Sequence, residues 1–319
     1  MILITGVSDL TARSLLFKFI KEGIPVRAID FYKPKDIPAD IFITTDLLDI
    51  NVLAEACEGV SVIYHFMDVK DKTKNLKKKR SYMRRVNIAG STNLLNCAAR
   101  ARVTQFNYIS SYFVYGFNKP ILNPNSPKKP VNVYGKDKLK AEIILRALSA
   151  KLKMNLTVFR PAQIIHKNTA NALQLMVLYL ALRSGEGALL HLGNNSRFQL
   201  LSCDDAVKAY FDAYNKNIAG KIFNLGCDDV PCQFDLFSQL AQELNIDFNI
   251  VKISKFKAKL YSMLYSLFKA NYFTKEHLVF LFGNCVLNCD LAKKDLNWSP
   301  SDSNLDILLD AAKAYLSKQ

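Results

Sequence analysis

Apolar and polar residues at the start of the chain follow the order strand, helix, strand. Ile2–Gly6 is an apolar run that ends in Thr-Gly, and Val26–Asp30 is a second short apolar run that ends in a carboxylate. Between them, apolar residues recur on one face of a predicted helix that ends at Gly23: Leu15, Leu16, Phe19 and Ile20. Strand, glycine turn, helix, strand and acid in this order predict a βαβ unit of the dinucleotide-binding kind.

Two later segments also carry strong apolar patterns. Ala172–Leu182 contains Gln174 and is far too short to cross a bilayer, which needs about 20 apolar residues. This apolar segment therefore predicts a buried helix and not a membrane span. Lys255–Lys269 predicts an amphipathic basic helix whose apolar face either packs on the core or lies on a membrane surface. Six residues form that face: Phe256, Leu260, Met263, Leu264, Leu267 and Phe268.

The clearest chemistry lies near the middle of the chain. Tyr134 and Lys138 are four residues apart, so their side chains share one face of a helix. A nearby ammonium favours the phenolate and is expected to lower the pKa of the tyrosine from about 10 toward neutrality. With the hydroxyl of Ser111, these groups suit proton transfer to and from a substrate hydroxyl. The alternative is that a tyrosine and a lysine at this spacing occur by chance on a surface helix.

Ordered matches along nearly the whole length resemble one family, the extended short-chain dehydrogenase/reductases, and within it the NAD-dependent epimerase/dehydratase group. The matches are Thr5-Gly6, Asp30, Asp46-Leu47, Val60–His65, Val86–Gly90, Thr92–Leu95, Tyr108–Ser111, Tyr134 with Lys138, Phe159–Pro161, Phe223–Gly226 and Leu296–Pro300. The resemblance implies an α/β fold, with a Rossmann-type doubly wound parallel sheet and a smaller mixed C-terminal substrate lobe. It implies an NAD-binding domain over residues 1–163, to which residues 204–226 return, and a substrate lobe over residues 164–203 and 227–319.

The resemblance also implies roles for individual residues. Tyr134 would be the acid/base, Lys138 would lower its pKa and hold the nicotinamide ribose, and Ser111 would bond the reacting hydroxyl or carbonyl. Asp30 would accept from the adenine ribose hydroxyls, which favours NAD over NADP. The other residues expected at the cofactor are Thr5, Gly6, Asp9, Leu10, Asp46, Leu47, His65, Phe66 and Pro161.

Two residues are expected at the substrate. Arg197 matches the arginine that contacts the nucleotide diphosphate in sugar-nucleotide epimerases of this family, and a guanidinium suits bidentate binding of a diphosphate. The alternative is a structural ion pair of Arg197 with Asp204 or Asp205. Gln163 stands where an asparagine often follows the Arg-Pro pair of the family.

Departures from the family pattern concern cofactor binding. The glycine turn reads Gly6-Val-Ser-Asp9-Leu-Thr-Ala12 in place of Gly-x-x-Gly-x-x-Gly. Asp9 brings a charge to the point where backbone approaches the pyrophosphate, so it is expected to cap the following helix and to weaken NAD binding. His65–Asp68 replaces the usual His-Leu-Ala-Ala and puts bulk beside the cofactor.

Charge and cysteine content add expectations about partners. The formal net charge is +15, and Lys70–Arg85 holds nine basic residues against one acid. That segment steers an anionic substrate, contacts anionic lipid or forms a solvated loop, whereas nucleic acid is not expected because no recognisable binding module accompanies it. Seven scattered cysteines, without a CxxC pair, predict reduced thiols, no metal site and a cytoplasmic location, and no signal peptide is expected.

Three functions are considered, in this order. The first is a nucleotide-sugar epimerase or dehydratase that takes a hydride onto NAD and returns it. The second is a dehydrogenase or reductase of a hydrophobic alcohol or ketone at a membrane surface, similar to hydroxysteroid dehydrogenases. The third is a non-catalytic dinucleotide-binding or regulatory module. A small anionic or amphiphilic substrate is expected, with a homodimer formed through helices around Ser91–Arg100 and Tyr134–Leu148.

Overall fold

The computed structural model describes residues 1–68, 81–116, 120–167, 189–192, 196–214, 218–245, 249–252 and 283–316, with the single residues 216, 254 and 256. The first half contains β1 (Ile2–Thr5), α1 (Leu10–Lys21), β2 (Val26–Asp30), β3 (Phe42–Thr44), α2 (Ile50–Cys57), β4 (Val62–His65), a π-helical turn (Arg85–Gly90), α3 (Ser91–Arg100), β5 (Gln105–Ile109), a 3₁₀ turn (Tyr112–Val114) and α4 (Val133–Leu152). The second half contains β6 (Leu156–Pro161), β7 (Gln163–Ile165), β8 (Leu189–Leu192), β9 (Leu200–Ser202), α5 (Cys203–Asp212), β10 (Ile222–Leu225), α6 (Gln233–Glu243), β11 (Asn249–Lys252), α7 (Asp290–Leu296) and α8 (Asn304–Leu316).

Three segments singled out in the sequence lie wholly or largely outside the described residues. The helix predicted over Ala172–Leu182 lies outside the described residues, as do residues 70–80 of the basic segment. The same holds for the amphipathic helix predicted over Lys255–Lys269, apart from the single residue Phe256. The membrane-surface interpretation of that helix therefore stays a prediction.

Seven of the described strands form one parallel sheet in the order β10-β6-β5-β4-β1-β2-β3. Ile2 of β1 is in register with Val26 of β2 on one side and with Val62 of β4 on the other. The strand order reverses at β1, so the predicted Rossmann-type doubly wound sheet is confirmed. Ligands bind such sheets at the carboxyl ends of the strands, beside the point of reversal.

Apolar layers cover both faces of this sheet. Alternation along β1 directs Ile2 and Ile4 toward the layer that contains α1, and Leu3 toward the layer that contains α3. Three residues of the predicted α1 face are fully buried in the first layer: Leu15, Leu16 and Phe19. The fourth, Ile20, is 39% exposed, so it lies at the edge of this contact.

The remaining strands lie outside the main sheet. β7 pairs with β9, and β8 pairs with β11, while α6 and α8 enclose a separate apolar cluster. Several hydrogen bonds tie the C-terminal segment to the rest of the chain. Among them, Trp298 Nε1 donates to the carbonyl oxygen of Asp205 at 2.9 Å, and Asn304 Oδ1 accepts from the backbone N–H of Leu200 at 2.8 Å. β10 pairs with β6 in the main sheet, whereas the domain boundaries themselves stay predictions.

Within the described ranges, no helix is long and apolar enough to span a bilayer. All seven cysteines are free thiols, and Cys285 and Cys289 are buried. In the same ranges, no group of three or more histidine, cysteine, aspartate or glutamate side chains could hold a metal ion.

Candidate active site

The candidate site lies at the carboxyl edge of the sheet, beside the point where the strand order reverses. Thr5 at the end of β1 is in register with His65 at the end of β4. Gly6 follows with a φ of +80°, and a Cβ on it would come within 2.6 Å of the Met67 backbone. Only glycine combines this φ with so close an approach, so the predicted glycine turn is in place.

Asp9 caps α1, as predicted. Its Oδ1 accepts from the backbone N–H groups of Thr11 at 2.9 Å and Ala12 at 3.4 Å. Free N–H groups at the start of a helix are the donors that a bound phosphate uses. A carboxylate and a pyrophosphate would therefore compete for the same groups in this chain, while the capping bonds stabilise α1. Leu10, the first residue of α1, is half-buried.

Asp30 at the end of β2 is buried and tied to the glycine turn. Its Oδ2 accepts from the backbone N–H of Ser8 at 2.7 Å, and its Oδ1 accepts from that of Phe31 at 2.7 Å. A carboxylate has about four lone-pair positions, so capacity is left for ribose hydroxyls. Asp30 therefore lies at the end of β2 beside the glycine turn, and its contact with the adenine ribose stays a prediction.

Two basic residues that follow or precede Asp30 in the sequence, and that would suit a 2′-phosphate, both have protein partners. Arg13 forms an ion pair with Asp36 at 2.9 Å, and the Lys33 ammonium donates to the carbonyl oxygen of Ile37 at 2.6 Å. This arrangement agrees with the preference for NAD over NADP.

Asp46 and Leu47 follow β3. The carboxylate of Asp46 accepts from the backbone N–H of Leu48 at 3.0 Å and from the Tyr82 hydroxyl at 2.6 Å. Leu47 is fully buried in the layer that contains α3. Its side chain is therefore part of the core, and only its backbone is available at the predicted adenine side.

Two of the three predicted catalytic residues lie at the start of α4, and the third precedes a turn that packs against it. Tyr134 and Lys138 both lie on α4, which confirms the shared face, and Lys138 Nζ is 5.7 Å from the Tyr134 ring centre. Ser111 precedes the 3₁₀ turn, whose Phe113 contacts Tyr134 edge-on with ring centres 6.1 Å apart. Gly135 permits this approach, because a Cβ on it would overlap the carbonyl oxygen of Phe113.

The hydroxyl of Ser111 is oriented by the backbone of the turn. Ser111 Oγ accepts from the backbone N–H of Phe113 at 3.3 Å, and the residue is buried. A serine hydroxyl has one hydrogen to donate. Since the backbone uses its acceptor side, that hydrogen is available for a substrate oxygen.

Asp68 completes this cluster, although the sequence indicated it only as bulk beside the cofactor. Its Oδ2 lies 3.1 Å from Lys138 Nζ, and the two side chains are 9% and 6% exposed. The Tyr134 hydroxyl donates to the same carboxylate. Lys138 also donates to the carbonyl oxygen of Ile109 at 2.9 Å. The one signal in the sequence was an acid at a position where the family pattern has alanine.

The expected lowering of the pKa of Tyr134 is wrong for this structure. Burial raises the pKa of the phenol well above its ordinary value, and the negative charge of Asp68 raises it further. Tyr108, the hydrogen bond to Asp68 and the charge of Asp9 act in the same direction. The ammonium of Lys138 faces the Asp68 carboxylate, which offsets its influence on the phenol.

His65 and Phe66 lie in the interior behind the glycine turn. His65 Nδ1 and Thr5 Oγ1 are hydrogen-bonded at 2.7 Å, and His65 Nε2 is bonded to Ser91 Oγ at 2.8 Å. Burial and then the charge of Lys138 lower the pKa of His65 to about 3, so its ring is neutral near physiological pH. Phe66 packs edge-on against Tyr210. The side chains of His65, Phe66 and Thr5 are therefore part of the interior next to the glycine turn.

Pro161 and Gln163 lie at the same edge of the sheet as the catalytic cluster. Pro161 ends β6, and the half-buried Gln163 begins β7 after one intervening residue. The amide nitrogen of Gln163 lies 3.4 Å from the carbonyl oxygen of Ile164, a local contact.

Arg197 is exposed, and its backbone is fixed. Its N–H donates to Asn284 Oδ1 at 2.9 Å, and its carbonyl oxygen accepts from the N–H of Cys285 at 2.9 Å. Asp204 pairs with a lysine, and Asp205 accepts from the backbone of residues 301 and 302. An ion pair of Arg197 with either acid is therefore not found in the described part of the chain.

The described residues fit NAD better at its two ends than in its middle. Asp30 suits the adenosine end. Lys138 donates to Asp68 and Ile109, and the third N–H of its ammonium suits the nicotinamide ribose. At the pyrophosphate, by contrast, the carboxylate of Asp9 takes two of the helix N–H groups.

Comparison with known proteins gives similar sequences and similar folds. The chain is 22% identical over 317 residues to the uncharacterized protein y4nG of Sinorhizobium fredii. This match covers 98% of this chain and 78% of that protein. It is also 36% identical over 165 residues to the N-acetyl-alpha-D-glucosaminyl-diphospho-ditrans,octacis-undecaprenol 4-epimerase of Escherichia coli O157:H7. This second match covers 50% of this chain and 48% of that epimerase. The chain thus spans about half the length of that relative.

A solved structure extends the likeness to the whole fold. The UDP-glucuronic acid 4-epimerase from Bacillus cereus in complex with NAD superposes with a TM-score of 0.74 at 18% identity, covering 98% of this chain and 96% of that one. The sequence profile of the NAD dependent epimerase/dehydratase family matches residues 2–226. This match confirms the predicted family, the expectation of an enzyme and NAD as its cofactor. The chain belongs to the NAD dependent epimerase/dehydratase family.

Proposed function

We propose that this enzyme epimerises or dehydrates a nucleotide sugar, with Tyr134 as acid/base. The observation that carries the proposal is the cluster of Ser111, Tyr134 and Lys138 at the carboxyl edge of the doubly wound sheet. Two similar proteins are named for sugars that carry a diphosphate. The exposed guanidinium of Arg197 offers a group suited to binding a diphosphate.

The proposed chemistry divides between the cofactor and the chain. NAD, when bound, supplies a reversible hydride acceptor. Ser111 donates to the reacting oxygen of the sugar and holds it near Tyr134, while Tyr134 exchanges the proton of that oxygen. The ammonium of Lys138 pairs with the Asp68 carboxylate and donates to the carbonyl oxygen of Ile109. These two contacts fix the end of the lysine side chain. The hydride then returns from the cofactor to the sugar, so the overall reaction consumes no external oxidant.

Incubation with NAD and a panel of UDP- and dTDP-linked sugars tests this function. An epimer or a dehydrated keto sugar should form with no net change in NADH absorbance. Stoichiometric NADH formation from a hydrophobic alcohol, without conversion of any nucleotide sugar, would instead indicate the dehydrogenase alternative.

Replacing Arg197 by methionine should raise KM for the nucleotide sugar by about 10- to 100-fold and change kcat much less. A hydrogen bond to a charged group contributes about 1.5–3 kcal/mol, which corresponds to this range. Arg100→Met is the matched control, because Arg100 lies in the last turn of α3, at the opposite edge of the sheet from the site. Equal KM values for both variants would remove Arg197 from the substrate site.

Replacing Asp9 by glycine should tighten NAD binding by about tenfold, because it frees the N–H groups of Thr11 and Ala12 and removes a negative charge beside the pyrophosphate. Glycine at this helix cap costs only a few tenths of a kcal/mol of stability. Calorimetry with NAD measures the change. Asp49→Gly is the matched control, since Asp49 caps α2 through Asn51 and Val52. Unchanged or weaker binding by Asp9→Gly would show that the carboxylate does not oppose the cofactor.

We also propose a homodimer formed through α3 and α4. The apolar side chain of Ile143 on α4 is 61% exposed, which supports burial of this face against a second copy. Light scattering of the purified chain tests the proposal. The cytoplasmic location and the peripheral membrane contact stay predictions.

A further inference from the structure

A third ionisable group, Asp68, contacts both members of the acid/base pair Tyr134 and Lys138. Asp68 arrives from the loop after β4 and places its Oδ2 3.1 Å from Lys138 Nζ. The same carboxylate accepts from the Tyr134 hydroxyl. The side chains of Asp68 and Lys138 are almost fully buried, so water does not separate the charges. The carboxylate of Asp68 thus contacts both the phenol and the ammonium, the first through a hydrogen bond and the second through an ion pair.

This unit changes what Tyr134 can do as a base. Its proton points at a carboxylate, and burial with the charge of Asp68 raises the pKa of the phenol well above its ordinary value. Prior formation of a phenolate is therefore unfavourable near neutral pH. The phenol can still accept a proton from a substrate if its own proton has somewhere to go in the same step.

We propose that Asp68 is the positioning residue that receives the proton of Tyr134 during catalysis. The proposal rests on the proposed acid/base role of Tyr134. In the oxidising half of the reaction, the substrate O–H bond breaks and its proton joins the phenol oxygen, while the phenol O–H bond breaks and that proton joins the Asp68 carboxylate. The hydride from the same carbon is taken up by NAD, the oxidant of the family. In the reducing half both protons move back, so no net acid or base is consumed.

Three further ionisable groups face the unit of Tyr134, Asp68 and Lys138, namely Tyr108, Asp9 and His65. Tyr134 is faced by Asp68, Lys138, Tyr108 and Asp9. Asp68 is also faced by His65, whose pKa is lowered to about 3, chiefly by burial. Burial raises the pKa of Tyr108 well above its ordinary value, so that phenol stays protonated.

The pH dependence of Asp68→Asn tests this proposal, because asparagine keeps the shape and removes the proton acceptor. We expect kcat to fall by about 10²-fold near neutral pH, the range typical of general acid–base groups. Activity should then recover as pH rises, since the phenol must ionise by itself beside an ammonium that no longer faces a carboxylate. The native enzyme should lack this alkaline recovery.

A readout without NAD or substrate separates the proposal from a structural role. The Tyr134 resonance of protein labelled at tyrosine ¹³Cζ, assigned by its absence in Tyr134→Phe, should titrate at lower pH in Asp68→Asn than in the native protein. Asp137→Asn is the matched control, since Asp137 lies on the same helix and pairs with Arg84 at 3.4 Å. Its activity profile and Tyr134 titration should match those of the native protein.

Each outcome decides between the proposals. Native-like or higher activity of Asp68→Asn at neutral pH, or an equal loss at every pH, would overturn the role of Asp68. Full activity of Tyr134→Phe would instead overturn the proposed function itself. If Asp68→Asn does not fold, as judged by circular dichroism, Asp68→Glu keeps the carboxylate and should keep the native shape of the pH profile. An alkaline recovery in Asp68→Glu would count against the proposal.

Discussion

Replacing Tyr134 by phenylalanine should lower kcat by about 10²- to 10⁴-fold and leave NAD binding nearly unchanged. The variant removes one hydroxyl and keeps the ring, whose edge-on contact with Phe113 does not involve that hydroxyl. Ser111 can still hold the substrate oxygen. However, the proton of that oxygen then has no phenol through which to reach Asp68. The loss should therefore fall on the chemical step.

Conversion of the nucleotide sugar identified in the panel gives kcat, and calorimetry gives the affinity for NAD. Tyr214→Phe is the matched control, because its ring packs against Phe19 with ring centres 5.4 Å apart, near the end of α1 that points away from the site. A native kcat for Tyr134→Phe would show that another group carries the proton. A loss of NAD binding in parallel would make Tyr134 a binding residue.

The fold was predictable from the sequence because its signals are local. The apolar runs and the glycine turn in residues 2–30 predict β1, α1 and β2, and each element lies within the predicted range. The cap at Asp9 is likewise a contact within three residues, so its chemistry could be read from the sequence. Helical spacing gave the shared face of Tyr134 and Lys138 for the same reason.

The electrostatics of the site were not predictable, because they depend on contacts between distant segments. Asp68 lies 66 residues before Tyr134 in the chain, and the two come together in the folded chain. Reasoning from helical spacing gave Tyr134 an ammonium neighbour and hence a lowered pKa. In the structure, the carboxylate of Asp68 contacts both the phenol and the ammonium, and the pKa of Tyr134 is raised instead of lowered.

A second distant contact lies beneath the site, where Arg160 and Glu142 form a buried ion pair. Arg160 is a charged residue in the apolar strand β6, whose residues are all buried, and this charge is the one sequence signal for the contact. Its guanidinium donates to both carboxylate oxygens of Glu142 on α4, at 3.0 Å and 2.6 Å. It also donates to the Tyr115 hydroxyl at 2.8 Å, and Ser110 donates to Glu142. The strand, the helix and the segment that follows Ser111 are thereby held together.

Replacing Arg160 by methionine should lower the free energy of unfolding by about 3–5 kcal/mol. The two side chains are 1% and 2% exposed, so the variant leaves the carboxylate of Glu142 buried without its cation. Urea unfolding measures the loss, and Trp298 serves as a fluorescent probe because it is the one tryptophan of the chain and is fully buried. Lys208→Met is the matched control, since it breaks an exposed ion pair with Asp212 and should leave the midpoint nearly unchanged.

The double variant Arg160→Met, Glu142→Leu distinguishes a buried unpaired charge from lost packing. If the charge is the cause, removing Glu142 as well should restore a large part of the stability, because two apolar side chains of similar size leave no ion to bury. If the double variant is no more stable than Arg160→Met, the loss comes from the shape of the guanidinium and its bond to Tyr115. In either case Ser111 and Tyr134 depend on this pair for their relative position, since Glu142 lies two turns beyond Tyr134 on α4 and Ser110 directly precedes Ser111.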